Sequence, residues 1–222
     1  MGIDDAGYQI VDNFLQPATV QALLSELARL KLDPLRGGIR RIDQLIPQVA
    51  DLARSPKLWS TASAHVSGQP ELVRAIYFDK TPENNWFVTW HQDRTVAVSQ
   101  RFEADGWGPW SMKSGVWHVQ PPLEVLQDMI TIRIHLDAAT TTNGCLKVIP
   151  GSHCCGLLGN EALQELTSKA LAVYCEVPAG GALIMRPHIL HASGKSVEPL
   201  PRRVLHFEYS SYQLPEGISW AA

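Results

Sequence analysis

The sequence has no surplus of positive charge: 19 Lys and Arg stand against 22 Asp and Glu, a formal net charge of -3 over 222 residues. That balance provides no basic footprint, so nucleic acid is not an expected partner. No apolar run approaches the roughly 20 residues that a bilayer-spanning helix needs, so no membrane partner is expected either. The opening "MGIDDAGYQI" lacks a basic region leading into a long apolar segment, and Ala6 stands where a myristoylation signal has Ser or Thr. Neither export nor a lipid anchor is expected. Cysteine is scarce: Cys145, Cys154, Cys155 and Cys175 show no CxxC spacing, and the adjacent pair does not bridge easily. Reduced thiols without a chemical role, in a cytoplasmic protein, are the expectation. Repeats and low-complexity tracts are also missing. A 45% hydrophobic content over 222 residues suits one substantial core, so residues 1–222 are expected to form a single domain.

What is present divides near residue 70. Val20, Leu23, Leu24, Leu27 and Leu30 recur at helical spacing behind Pro17, predicting an amphipathic helix over 17–31. Residues 42–67 mix Leu, Ile, Val, Ala and Trp59 with breaks at Pro47 and Ser55-Pro56, predicting two or three short helices. From Glu71 short β-rich runs take over: "LVRAIYF", "WFVTW", "MITIRIHL", "CLKVI", "ALAVYCEV", "ALIM" and "RVLHFEYS". Turn signals such as "PENN", Asn143-Gly144 and Pro150-Gly151 divide them. One more helix is expected at 160–170, capped by Asn160. The pattern predicts a mainly β fold, an antiparallel jelly roll over 71–222 flanked by helices in 1–70. Residues 99–118, rich in Gly, Trp and Ser without a clean period, are expected to form a long loop. Its Trp107, Trp110 and Trp117 either grip a substrate or pin the loop to the core.

Chemistry first shows in "WHQDRT", where His91 and Asp93 would emerge on the same face of a strand. A 2-His-1-carboxylate site needs that pair plus one imidazole from elsewhere, with cis positions left open. Eight His and eleven Asp in 222 residues give roughly 0.4 chance HxD pairs. The chain holds two. The second, His135 and Asp137, ends "TIRIHLD", where an Asp commonly accepts backbone hydrogen bonds at a strand-to-turn junction. Spacing alone does not choose between them. "RPHILHASGKSVEPLPRRVLHFEY" adds a candidate third ligand, His191, with Ser193 on its face. The chain then turns through Ser193-Gly194-Lys195 and prolines 199 and 201 into a strand opening with Arg202 and Arg203. Such a hairpin would put an imidazole, a hydroxyl and a guanidinium in one pocket. That suits 2-oxoglutarate, whose far carboxylate needs a planar bidentate donor.

At these residues the sequence resembles the phytanoyl-CoA dioxygenase family of Fe(II)- and 2-oxoglutarate-dependent oxygenases. The resemblance rests on "YFDKTPENNWFVTWHQD", "NGCLKVIPGSH" and "HASGKSVEPLPRR", in the family's order and with about its spacing. It implies a double-stranded β-helix, Fe(II) held by His91, Asp93 and His191, and a structural role for the second HxD. Arg202, matching the family's Arg, would clamp 2-oxoglutarate with help from Ser193, and Arg203 is the fallback. If Arg202 faces the pocket, Val204 and His206 do too, leaving Leu205, Phe207 and Tyr209 to the helices. Thr131 and Arg133 would project into the same barrel, with Arg133 meeting an anion of cosubstrate or substrate. Arg41 lies in a region that approaches the cosubstrate in relatives. Lys80, Asn85 and Trp86 would line the entrance, and Trp110 and Trp117 are candidate substrate contacts. Arg40, Arg41, Arg94 and Lys113 are candidates to meet an anionic end of the substrate. The implied reaction uses O2, converts 2-oxoglutarate to succinate and CO2, and oxidises, most simply hydroxylates, an unactivated C–H bond of a small metabolite or natural-product intermediate. Halogenating relatives lack the carboxylate ligand that Asp93 supplies here. A jelly roll also hosts non-catalytic binding modules and zinc-dependent cupin-type isomerases or hydrolases. Only the oxygenase reading requires the Arg202 and Ser193 clamp.

Overall fold

A computed structural model describes residues 2–30, 38–81, 83–198 and 200–222. Lys31 at the end of the first expected helix, and Pro82 and Pro199 in expected turns, lie outside the described residues. The N-terminal third supplies α1 (Ile3–Ala6), α2 (Pro17–Arg29), α3 (Ile42–Leu45), α4 (Pro47–Ala53) and α5 (Pro56–Ser63). Proline opens α2, α4 and α5, where its missing N–H has no intrahelical partner to lose. Along α2, Val20, Leu23 and Leu27 are buried, as the sequence period requires.

The strands are β1 (Tyr8–Val11), β2 (Gly38–Arg40), β3 (Glu71–Lys80), β4 (Val88–His91), β5 (Val96–Val98), β6 (Trp110–Lys113), β7 (Val116–Val119), β8 (Met129–His135), β9 (Leu146–Val148), β10 (Val173–Cys175), β11 (Ala182–Met185), β12 (His191–Ser193) and β13 (Arg202–Ser210). A large antiparallel sheet runs β1-β11-β8-β13-β3-β2, and a smaller one runs β10-β9-β12-β4. These two make the jelly roll.

Alternation along β13 decides what lies between the layers. Leu205, Phe207 and Tyr209 join Ala75 and Tyr77 of β3 and Ile130, Ile132 and Ile134 of β8 in a core shared with Leu23, Leu27, Val49 and Leu58 of the helices. Arg202 and His206 take the opposite face and line an internal cavity. The division expected from the sequence holds. Phe207 is fully buried in this layer. Phe207→Ala is expected to destabilise the fold by about 3–5 kcal/mol, measured as a lower urea midpoint with unchanged slope.

Four expectations need correction. Residues 99–118 are not one long loop, because they contain β6 and the start of β7, which with β5 form a third sheet in the order β5-β7-β6. Periodicity missed it because its strands are three or four residues long and the tryptophans that pack on the buried Val96, Val98 and Val119 are scattered among Gly and Ser. The N-terminal part is not purely helical, since β1 and β2 form the two edges of the large sheet. The helix after residue 159 is not the only one to interrupt the strands: α6 (Leu123–Gln127) and a 3-10 turn at Ser152–Cys155 do so as well. Finally, Asn160 is the first residue of α7 (Asn160–Lys169), and Gly159 stands at the cap position.

Candidate metal centre and its cavity

β4 and β12 pair antiparallel in a register that sets His91 opposite His191. Each strand aims its own imidazole. Nδ1 of His91 donates to the Thr89 carbonyl at 2.9 Å, and Nδ1 of His191 to the Ile189 carbonyl at 2.9 Å. Both Nε2 lone pairs are left free for a ligand. Asp93 is anchored by its backbone N–H to the Pro187 carbonyl at 3.0 Å. Its Oδ1 lies 3.7 Å from Nε2 of His91 and its Oδ2 lies 3.6 Å from Nε2 of His191. Two atoms bound to one ion at about 2.1 Å each are at most about 4.2 Å apart, so each His–Asp pair can share an ion. All three ligand atoms lie within 4.8 Å of one another. Burial alone would raise the Asp93 pKa, yet His191, His91 and Arg74 together hold it well below the usual carboxylate range. Burial pushes His191 down to about 4, leaving a neutral imidazole. Two imidazoles and an ionised carboxylate fit a divalent ion of the 2-His-1-carboxylate kind.

A second cluster, Asp93, His206 and Glu208, is equally compact. Both nitrogens of its imidazole are already engaged. Arg133 donates to Nδ1 of His206 at 2.7 Å, so Nε2 of His206 carries the proton and donates to Oε1 of Glu208 at 2.8 Å. Arg74 donates to that same oxygen at 2.7 Å. This chain stiffens the cavity floor and leaves His206 without a free lone pair.

At the other end, Arg202 opens β13 opposite Lys80 of β3. Arg202 is 3% exposed, and its Nε and Nη1 have no hydrogen-bond partner among the described residues. Burial pushes its pKa down to about 10. Lys80 is fully buried, and its ammonium donates to Ser193 Oγ at 3.2 Å and to the Gly194 carbonyl at 2.7 Å. Burial first, then the Arg202 charge, lowers it to about 8. Ser193 Oγ in turn donates to the Gly144 carbonyl at 2.8 Å. Gly144 has φ +76, and a Cβ there would lie 2.5 Å from the Gly194 oxygen and 3.2 Å from the Lys80 ammonium. Only glycine permits this approach. Two buried cations with no ion pair to a carboxylate among the described residues call for an anionic ligand.

Arg202, Ser193, Trp86, Phe78 and the His91, Asp93 and His191 group line one cavity of about 220 Å³. Asp137 is elsewhere: it forms a bidentate pair with Arg203 at 2.7 and 2.8 Å and accepts the Arg203 backbone N–H at 2.9 Å. That removes the fallback Arg203 from the cavity. Lys80 stands behind Ser193 rather than at the entrance, with its ammonium 5.2 Å from the Trp86 ring. Asn85 binds Ser196 on both sides of its amide and braces the turn after β12. Arg133 does line the cavity, but its partners are the His206 imidazole and, at 5.3 Å, the Phe78 ring rather than an anion.

Other expected residues fall away from the cavity. Thr131 is fully buried on β8, deeper than Arg133 and outside the lining. Trp110 and Trp117 pack edge to face with each other at 6.2 Å, and Phe102 meets Trp110 at 5.2 Å, so these rings pin the third sheet. Arg94 is tied to Gln92 and the Leu158 carbonyl. Arg41 sits at φ 58 where the chain leaves β2 for α3, and its neighbour Arg40 reaches the cavity instead. Sequence reasoning overlooked Arg74 and the roles of His206 and Glu208 in bracing it. The signal was an arginine inside the apolar run "LVRAIYF", in phase with Lys80.

The phytanoyl-CoA dioxygenase (PhyH) family model matches residues 3–204. Phytanoyl-CoA dioxygenase 1 of Oryza sativa subsp. japonica is 23% identical over 89% of this chain, which spans 63% of that relative's length. Ectoine dioxygenase of Streptomyces coelicolor is 24% identical over 95% of this chain and 76% of its own length. Among solved structures, HygX of Streptomyces hygroscopicus, with nickel and 2-oxoglutarate bound, superposes with a TM-score of 0.69 at 17% identity, covering 96% of this chain and 86% of that one. With the family model matched across nearly the whole jelly roll, the chain belongs to the phytanoyl-CoA dioxygenase family.

Proposed function

We propose that this protein is an Fe(II)- and 2-oxoglutarate-dependent oxygenase acting on a small molecule, and that its reaction is hydroxylation of an unactivated C–H bond. One observation carries the reading: the buried Arg202 guanidinium, whose Nε and Nη1 have no partner among the described residues, opens onto the same cavity as the His91, Asp93 and His191 group. A metal-binding module or a zinc isomerase has no need of that cation. Bound Fe(II) supplies oxygen activation coupled to decarboxylation of 2-oxoglutarate to succinate. The chain's own share is positional. His91, Asp93 and His191 hold the metal, while Arg202 and Ser193 receive the far carboxylate and Lys80, behind Ser193, adds its charge from outside the lining. Phe78, Val88 and Leu146 keep water from the space between them. Arg133 braces the floor through His206.

Anaerobic addition of Fe(II) and 2-oxoglutarate is expected to give a chelate absorption band. Admission of O2 is expected to yield succinate even without substrate, at a low uncoupled rate. Tight zinc binding with no response to 2-oxoglutarate would instead support the cupin-type isomerase reading.

A further inference from the structure

The cavity has a second group of cations, at its mouth. Arg40 ends β2, Arg74 lies on β3, Lys113 ends β6, and all three line the cavity that holds Asp93 and His191. Register explains the convergence. Arg40 pairs with Ile76, so it shares the inner face of the large sheet with Arg74, two residues earlier on β3. Lys113 arrives from the third sheet, at the turn where it pairs with Val116. Arg40 and Lys113 are exposed, and Arg74 lies beneath them.

We propose that Arg40, Arg74 and Lys113 form the subsite for an anionic group of the substrate, a carboxylate or a phosphate, and so make this an enzyme of small acids. The inference rests on the oxygenase reading and deepens it. Of the three cations only Arg74 has a carboxylate partner, Glu208, which it shares with His206. Arg40 and Lys113 have no ion pair among the described residues. Burial and then Arg74 lower the pKa of Arg40, and burial, Arg40 and Arg74 lower that of Lys113. The fully buried His118 underneath is pushed down to about 4 by burial, with these three cations acting in the same direction. Gathering like charges is unfavourable until a counter-charge joins them.

This cluster is distinct from the Arg202 end. In strand register Arg74 pairs with Glu208 and Lys80 with Arg202, so the two groups lie at opposite ends of the paired strands β3 and β13. With cosubstrate anchored at Arg202 and reaching the metal, an anion at the mouth would hold the rest of a small substrate over the metal. The cavity volume agrees: about 220 Å³ lies below the roughly 300–1,000 Å³ of sites that enclose drug-sized ligands.

The test is calorimetric titration of the anaerobic Fe(II) and 2-oxoglutarate complex with inorganic phosphate, with N-acetylglycine and with the neutral N-acetylglycinamide. At least one anion is expected to bind, and the amide is not. Whichever anion binds more tightly identifies the group. Arg40→Gln/Lys113→Gln, confined to exposed side chains, is expected to weaken that anion by about tenfold and to leave 2-oxoglutarate and metal affinity unchanged. Arg74 is left in place because its removal would strand the buried Glu208. Equal anion affinity in the double variant, no affinity for either anion, or a parallel loss of 2-oxoglutarate affinity would each overturn the proposal. If 2-oxoglutarate fails to bind the wild-type protein, the oxygenase reading falls by itself. The mouth is then decided by the same comparison in an Arg202→Gln background without cosubstrate.

Discussion

Asp93→Ala is expected to abolish retention of Fe(II) through dialysis and to cut succinate formation by more than about 100-fold, beyond the loss caused by changing a residue behind a metal ligand. Asp137→Ala is expected to retain the metal. The contrast follows from where each carboxylate lies. Asp93 stands 3.6–3.7 Å from two free imidazole nitrogens, so without it only two protein ligands remain. Asp137 spends both oxygens on Arg203, and its loss costs the start of β13 about 1 kcal/mol for a half-buried pair. Metal content by mass spectrometry and succinate release by chromatography read the two effects separately. Loss of metal from Asp137→Ala with retention in Asp93→Ala would move the centre to the second HxD.

The other large effect belongs to cosubstrate binding. Arg202→Gln is expected to raise the 2-oxoglutarate dissociation constant by roughly 100- to 1,000-fold, since truncating one partner of a buried charge pair costs about 2–5 kcal/mol. Iron binding should persist. The variant is not expected to fold less well: without ligand, Arg202 is a buried cation whose Nε and Nη1 lack partners, so a neutral amide relieves a desolvation cost. Arg203→Gln is the control. It breaks the Asp137 pair and should lower thermal stability slightly while leaving 2-oxoglutarate affinity intact. Titration of the chelate band with 2-oxoglutarate measures both. Unaltered affinity in Arg202→Gln together with loss in Arg203→Gln would mean that β13 presents the opposite face to the cavity.

The contrast between those neighbouring arginines shows what could be read in advance. The alternation of "RRVLHFEYS" places Arg202 with His206 and sends Leu205, Phe207 and Tyr209 to the helices, and the structure follows it. The helical period of α2 and the β-rich runs were equally legible, because each buries one face. The third sheet was not, since its packing depends on Phe102, Trp107, Trp110 and Trp117 stacking on one another across a Gly-rich segment. Nor were β1 and β2 legible. At three to four residues they are too short to show a period, and they exist because an edge of the large sheet is there to accept them. In the cavity, the family resemblance grouped His91, Asp93 and His191 with Arg202 and Ser193; four of these stand on strands, whereas Asp93 lies two residues past the end of β4 rather than on the strand expected to carry it. Arg41 was misread because the chain turns left-handed there, ending the alternation one residue earlier at Arg40. Arg74 needed its partner Glu208 on another strand before an arginine in an apolar run made sense.

The two backbone carbonyls behind His91 and His191 have a consequence for loading. Because Thr89 and Ile189 hold the Nδ1 protons, neither ring has to rotate or exchange tautomers when an ion arrives. An incoming cation therefore finds its nitrogen donors already oriented by the paired strands that carry them, and the rate of uptake should follow shedding of the ion's own hydration shell rather than rearrangement of the protein.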